Sequence, residues 1–261
     1  MRRRLSMTSG VMTAVPGRAP PGVGRFSSMR SGNGQGGQKK RSFIEQARRA
    51  QIINAAIETI GEVGYANASL ARIARHAGIS KGVISYHFAG KDELMEQVVT
   101  HVYTAIIEHV VPRIVVWDGA RDRLRVHILT LAEFMREQPV RLKALGEIFG
   151  NFRDADGQLR YDMASSVELF ESLEHTYRIG QESGEFRDFD TRVMAVSMQT
   201  SIDAMFGYWM AFPETDLMAY AAQLADLFDH ATRALPEGSP AGTGARADPR
   251  TAPSAPEDGR A

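Results

Sequence analysis

No cysteine occurs in the 261 residues. That removes disulfides and thiolate metal sites, and it makes a reducing cytoplasm the expected compartment. No apolar run approaches the roughly 18 residues of a membrane-spanning helix, so no membrane partner is expected. Met1-Arg2-Arg3-Arg4 has the charge of an export signal, but no apolar segment follows it. Nowhere do apolar and polar residues alternate with the period of two that marks a half-buried strand, so the expected fold is all-α. Glu-x-x-His, the inward-facing signature of helical di-iron carboxylate enzymes, does not occur. Glu171 with His175, and Asp226 with His230, are spaced as surface ion pairs of a helix. His101 and His109 lie two turns apart, and a metal between them is the lesser reading. No arrangement for nucleophilic catalysis is visible. The chain is therefore not read as an enzyme, and neither a metal nor a cofactor is expected.

Net charge is zero but unevenly placed. Residues 1–90 carry +11, residues 91–235 carry −10, and the remainder carries −1. A basic front is the electrostatic footprint of a duplex binder, and an acidic remainder repels phosphate, so one end alone is expected to meet nucleic acid.

That basic front contains Ser69 to Phe88, SLARIARHAGISKGVISYHF. Leu70, Ile73 and Ala74 recur at helical spacing, as do Val83, Ile84, His87 and Phe88. Between them Gly78 is suited to the left-handed conformation that ends a helix. Ser80 is suited to cap the next one through its side-chain oxygen. Ala74 is small where the two helices cross, and Ile84 is apolar where the second is pinned to the first. The pattern is a helix-turn-helix, which lays its second helix in the DNA major groove. A helical hairpin inside an all-α core is the plainer alternative.

Residues 1–41 are rich in Arg, Gly, Ser and Pro and read as a disordered basic arm, with Lys39, Lys40 and Arg41 available to phosphate. Gly32-Asn33-Gly34-Gln35-Gly36-Gly37 formally matches G-x-G-x-x-G, but no strand precedes it, so a nucleotide site is set aside. A first helix is expected from about Ser42 to Val63, with Ile44, Ala47, Ile52, Ala55, Ala56, Thr59 and Ile60 as its apolar stripe. After Ala89-Gly90, Asp92 and Glu93 suit the start of a helix reaching about Val111. Further helices are expected over 120–137, 140–153, 159–182, 190–211 and 215–235. Residues 236–261 read as a disordered tail. The organisation is thus an arm (1–41), a three-helix DNA-binding domain (42–90), a larger helical domain for effector binding and dimerisation (91–235), and a tail.

Ile53-xx-Ala56, Gly64-Tyr65, Ile73-Ala74-xx-Ala77-Gly78-Ile79-Ser80-Lys81-Gly82 and Tyr86-His87-Phe88-xx-Lys91-xx-Leu94 agree in order and spacing with one family. Residues about 46 to 106 resemble the DNA-binding domain of the TetR (tetracycline-repressor) family of bacterial regulators. The resemblance implies a homodimer that offers two recognition helices about 34–36 Å apart to successive major grooves of a palindromic operator. It also implies a repressor released by a small-molecule effector. Ser80 to His87 would form the recognition helix. Lys81 and Ser85 are the candidates for base edges, and Val83 for a thymine methyl. Gly82 would let backbone approach the sugar-phosphate chain. Ser69, Tyr86, His87 and Lys91 are the candidates for phosphate. The family usually has an aromatic residue at the place of Ser85. Here Tyr86 follows it, and both remain candidates for that phosphate contact. For His87, packing beside Phe88 is the alternative. For Arg72 and Arg75, a solvated face is favoured.

Effector-pocket candidates are the aromatics and Met of the later helices: Trp117, Phe134, Phe149, Phe152, Tyr161, Tyr177, Met205, Phe206 and Trp209. Plain core is the alternative for each. Two apolar stripes, Val193, Val196, Thr200, Ala204 and Tyr208, then Leu217, Tyr220, Leu224 and Phe228, suit a four-helix dimer interface. Packing onto their own domain is the alternative. The competing function is a helical architectural DNA binder without a ligand.

Overall fold

The starts of the last two helices follow from capping chemistry. Asp190 and Asp216 sit in extended backbone before their helices, and each carboxylate accepts two N–H groups of the first turn at 2.9–3.0 Å. These donors have no intrahelical partner, so the caps set where each helix begins. The computed structural model describes residues 35–234, and among them it is all-helical apart from two isolated bridges. The helices are α1 (Gln35–Val63), α2 (Leu70–His76), α3 (Lys81–His87), α4 (Lys91–Ile114), α5 (Ala120–Glu137), α6 (Pro139–Asn151), α7 (Val167–Glu182), α8 (Thr191–Ala211) and α9 (Leu217–Thr232). No helix among the described residues is long and apolar enough to cross a membrane. The expected tail, and the arm up to residue 34, lie outside the described residues.

Three expected boundaries move. Helix α1 begins at Gln35 rather than near Ser42, so the end of the expected arm is helical. Once a helix is nucleated, each further residue adds a hydrogen bond at little cost. Its expected stripe is buried from Ile52 onward, while Ile44 and Ala47 are exposed, no other described helix packing on that end. Helix α4 runs to Ile114 and takes Pro112 into its last turn. The expected helix over 159–182 starts only at Val167. Leu159 instead bridges Arg153, and Asp162 forms a capping box with Ser165 that opens a short 3₁₀ turn.

Two cores result. The first joins Ile52, Ile60, Ile73, Ile84, Phe88, Leu94, Val98 and Val102 with Ala144, Ile148, Phe152 and Tyr161. It thus crosses residue 90, because α4 and α6 pack on α1. The second joins α5, α7, α8 and α9 through Leu124, Ile128, Tyr177, Met198, Ile202, Leu224 and Phe228. The start of α5 is fixed to this body by the Glu185 carboxylate, which accepts the N–H groups of Ala120 and Arg121 at 3.0 and 3.1 Å. These donors hold its pKa below the usual carboxylate range against the opposing effect of desolvation. Arg121 adds a two-pronged bond to Asp229 of α9 at 2.7 and 2.9 Å.

Candidate nucleic-acid interface

Helix α2 is held at both ends. Ser69 Oγ accepts the Arg72 N–H at 3.2 Å. At the other end Gly78 takes φ +69°. Its N–H donates to Arg75 O at 3.2 Å, and the Ile79 N–H donates to Ala74 O at 3.0 Å. These two bonds make a Schellman ending, for which the left-handed glycine is required. The chain therefore turns sharply into α3. Ser80 occupies the cap position of α3 in extended backbone, but its side chain makes no capping bond, which corrects the expectation. Ile73, Ala74 and Ile84 are buried where the two helices meet, as their spacing implied.

One face of α3 remains open. Lys81, Gly82, Ser85 and Tyr86 are exposed, Tyr86 to 77 %. Val83 and His87 are half-buried. The Tyr86 ring meets the His87 imidazole edge-on at 5.0 Å. His87 Nδ1 is buried without a partner, so this residue lies between its two expected roles. Phe88 is core.

Arg49 of α1, which the sequence did not single out, holds the far end of α3. Its guanidinium donates to the carbonyl of His87, lies over the Phe88 ring at 4.3 Å and pairs with Glu93 of α4 at 3.4 Å. A cation at a helix C-terminus opposes the negative end of the dipole. No sequence signal marked Arg49 apart from Arg48, because the contact spans three helices.

Lys91 is placed differently from its expected phosphate role. Its ammonium turns inward, bonds Tyr65 O at 2.8 Å and lies 4.0 Å from the centre of the Tyr65 ring. Burial pushes its pKa down. At the first residue of α4 a cation opposes the helix dipole, and the carbonyl and ring of Tyr65 supply the compensation. The N–H of Tyr65 donates to Glu147 of α6 at 3.0 Å. Tyr65 thus joins the reader to both α4 and α6.

The expected effector residues divide. Tyr177, Met205 and Phe152 are buried core; the Tyr177 hydroxyl is taken by Met198 Sδ at 3.3 Å. Trp117 is exposed after α4. Phe134 is buried against His109, ring centres 5.4 Å apart. Phe149 stacks on Tyr161 at 5.0 Å and on Tyr103 of α4 at 6.2 Å, and burial pushes the Tyr161 phenol up to about 12. Phe206 and Trp209 are half-buried neighbours. None of the nine lines the open cleft of about 370 Å³ between α1 and the α5–α6 turn, formed by Ile57, Glu58, Glu137 and Val140 among others. Among the described residues no group of three His, Asp or Glu converges as a metal site.

The expected dimer residues divide too. Val193, Thr200, Ala204 and Tyr208 of α8 are exposed, Val196 is half-buried and Tyr220 of α9 is exposed. Leu217, Leu224 and Phe228 are buried in their own domain, because α9 turns that side onto α5. The outer stripe of α9 is Tyr220 and Leu227, with Tyr220 5.9 Å from Tyr208.

A short helix with an open polar and basic face, pinned by a buried aliphatic to a small helical unit, defines the helix-turn-helix class. Residues 52–98 match the model of the bacterial regulatory proteins of the tetR family. BetI 2, an HTH-type transcriptional regulator of Chromohalobacter salexigens, is 38 % identical over 95 residues, which is 36 % of this chain and 46 % of that protein. The chain spans about half the length of the curated relatives it matches. Among solved structures, FadR of Bacillus subtilis in complex with stearoyl-CoA aligns at TM-score 0.60 and 22 % identity, over 69 % of this chain and 96 % of that one. NalD, the secondary repressor of the MexAB-OprM multidrug efflux pump in Pseudomonas aeruginosa, aligns at 0.59 and 20 %, over 73 % and 98 %. The tetR-family model thus covers the DNA-reading segment, and the solved structures share the all-helical fold of the rest.

Proposed function

We propose that this protein is a cytoplasmic transcriptional repressor that binds a palindromic operator as a homodimer and releases it on binding a small molecule. The observation that carries the reading is the open face of α3, with Lys81, Ser85 and Tyr86 outward and Ile84 locked behind them. Lys81 and Ser85 read base edges, Val83 meets a thymine methyl, and Gly82 lets the backbone approach. Ser69 and Tyr86 bond phosphate, with His87 steadying Tyr86. Lys91 acts from behind by fixing the start of α4. Lys81→Ala is expected to cost roughly 1–3 kcal/mol on a selected operator and less on random duplex. Competition binding with fragments selected from the source genome measures both, and equal losses would assign Lys81 to phosphate.

The outer stripes of α8 and α9 support a second copy as partner. Val193 and Leu227 are each 61 % exposed on adjacent helices, and apolar stripes of this kind are buried in a symmetric pairing. Leu227→Asp is expected to yield folded monomer with weakened operator binding. Leu224→Ala, on the inner side, is expected to lower stability by about 2–5 kcal/mol. Sedimentation velocity and chemical denaturation separate the two, and an unchanged dimer for Leu227→Asp would move the interface elsewhere.

Effector binding acts through α4 and α6, both of which pack on α1. A ligand that prefers one spacing of the two recognition helices shifts the population by no more than its differential affinity.

A further inference from the structure

Helix α1 overruns the core it belongs to. It enters the first core only from Ile52 to Ile60, and residues 43–47 are exposed. Its contacts give the overrun a direction. Near its carboxy end Gly61 lies against Val140 of α6, and the N–H of Tyr65, just past α1, bonds Glu147 of the same helix. Farther back, Gln51 Nε2 donates to Ala77 O at the end of α2, at 3.0 Å, and Arg49 donates to His87 O at the end of α3. The helix thus runs from α6 past the reader, and residues 35–48 continue beyond it on the side away from α6. At about 1.5 Å per residue the overrun is about 20 Å long, the rise of about six base pairs. The positive charge lies on the same side. Residues 1–48 hold ten Lys and Arg against one acid, Glu45, a net of +9. Residues 49–90 hold four, Arg49, Arg72, Arg75 and Lys81, against Glu58 and Glu62, a net of +2. Of those four, Arg49 is already held by the His87 carbonyl and by Glu93. The helix-turn-helix is therefore only weakly basic, and most of the attraction for phosphate precedes it.

A basic helix fastened beside a DNA-reading helix is complementary to duplex phosphate, which carries one charge per about 1.7 Å of axis. We propose that residues 35–48 of α1, with the basic residues ahead of them, form a second duplex contact that grips DNA flanking the operator without reading its sequence. This rests on reading α3 as the recognition helix, and it adds a surface that the helix-turn-helix does not include. Phe43 and Ile44 are 72 % and 58 % exposed, so the composition also suits a helix lying on anionic lipid. Position decides for DNA. Gln51 and Arg49 fasten the near end of the overrun to both helices of the reader, so a duplex docked on α3 lies beside it. Residues 91–235, with a net of −10, repel the same phosphates.

The test sets the unaltered full chain against a full-chain variant carrying Lys39→Gln, Lys40→Gln and Arg41→Gln. Glutamine is neutral and a good helix former, and all three positions precede the buried stripe; circular dichroism checks the fold. Lys39→Gln with Lys40→Gln alone decides if the triple variant does not fold. Each protein is titrated by fluorescence anisotropy against the selected operator trimmed to its palindrome. It is then titrated against the same operator with about ten base pairs of arbitrary sequence on each side, over a series of salt concentrations. The unaltered protein is expected to bind the flanked duplex at least about tenfold more tightly than the trimmed one. The variant is expected to lose that advantage and to bind the trimmed duplex within about twofold of the unaltered protein. Its salt slope on the flanked duplex should fall by about 0.9 for each phosphate contact removed. Lys39→Arg with Lys40→Arg, which keeps the charge, should retain the advantage. No advantage of the flanked duplex, or an equal loss by the variant on both duplexes, overturns the proposal. Vesicles of phosphatidylglycerol are offered in the same buffer, and sedimentation with them that the variant loses, without a flank advantage, assigns the overrun to lipid instead. Binding of the trimmed operator without a flank advantage overturns the second contact alone. Binding of neither duplex by the unaltered protein overturns the regulator reading and the proposal with it.

Discussion

Raising monovalent salt from about 50 to about 200 mM will weaken binding to the selected operator by on the order of 10³-fold. The expectation follows from how the charge is arranged. Residues 1–90 carry +11 and residues 91–235 carry −10, so phosphate is attracted to one end of the molecule and repelled by the other. Lys81, Arg72 and Arg75 are exposed on the helix-turn-helix, and in a docked dimer these cations displace counterions whether they meet a base edge or lie beside phosphate, two subunits doubling the set. Each neutralised phosphate releases condensed counterion, and about six contacts per dimer give the stated loss. Fluorescence anisotropy at a series of salt concentrations yields the slope. A flat dependence would sink the groove-docked dimer. Lys91 is not counted, since its ammonium is already bound to Tyr65 O.

Gly180→Ala will destabilise the fold by about 1–3 kcal/mol. In α7 this residue lies directly under the Phe186 ring, and a β-carbon built there falls well inside van der Waals contact with ring carbons and touches Ala120 of α5. The ring has nowhere to go, because it packs at 5.7 Å against the fully buried Tyr177 and at 6.2 Å against Phe189. Alanine is the better helix former by up to about 1 kcal/mol, so the measured loss is what remains after that gain. Gly146→Ala in α6 is the control. A β-carbon there meets nothing within 4 Å, and the same propensity difference should appear as a stabilisation of up to about 1 kcal/mol. Urea denaturation of both variants decides it, and a neutral or stabilising Gly180→Ala would show that the Phe186 contact yields.

The reader was legible in the sequence because its chemistry is local. The left-handed Gly78 and the buried Ile84 act on neighbours a few residues away, so type and spacing sufficed to place them, whereas Ser69 was expected only as a phosphate ligand and its capping bond is a finding of the structure. The last two helices were expected over 190–211 and 215–235, and the structure adds the Asp190 and Asp216 caps that fix their starts. The Ser80 expectation missed because a residue can hold the cap backbone without turning its hydroxyl to the helix. Leu159 left the long helix because it pairs with Arg153 across the Asp154–Gly157 turn, a contact that helical periodicity does not report.

What the chain order by itself determined was the all-α class, the helix-turn-helix and the charge division, since each follows from periodicity, caps and composition. Tertiary structure alone decided which face of α9 turns inward, that Lys91 serves Tyr65 and that Arg49 clamps α3. An amphipathic stripe says that a face will be covered. Only the packing of helices distant in sequence says whether a neighbouring helix, a second copy or a ligand covers it.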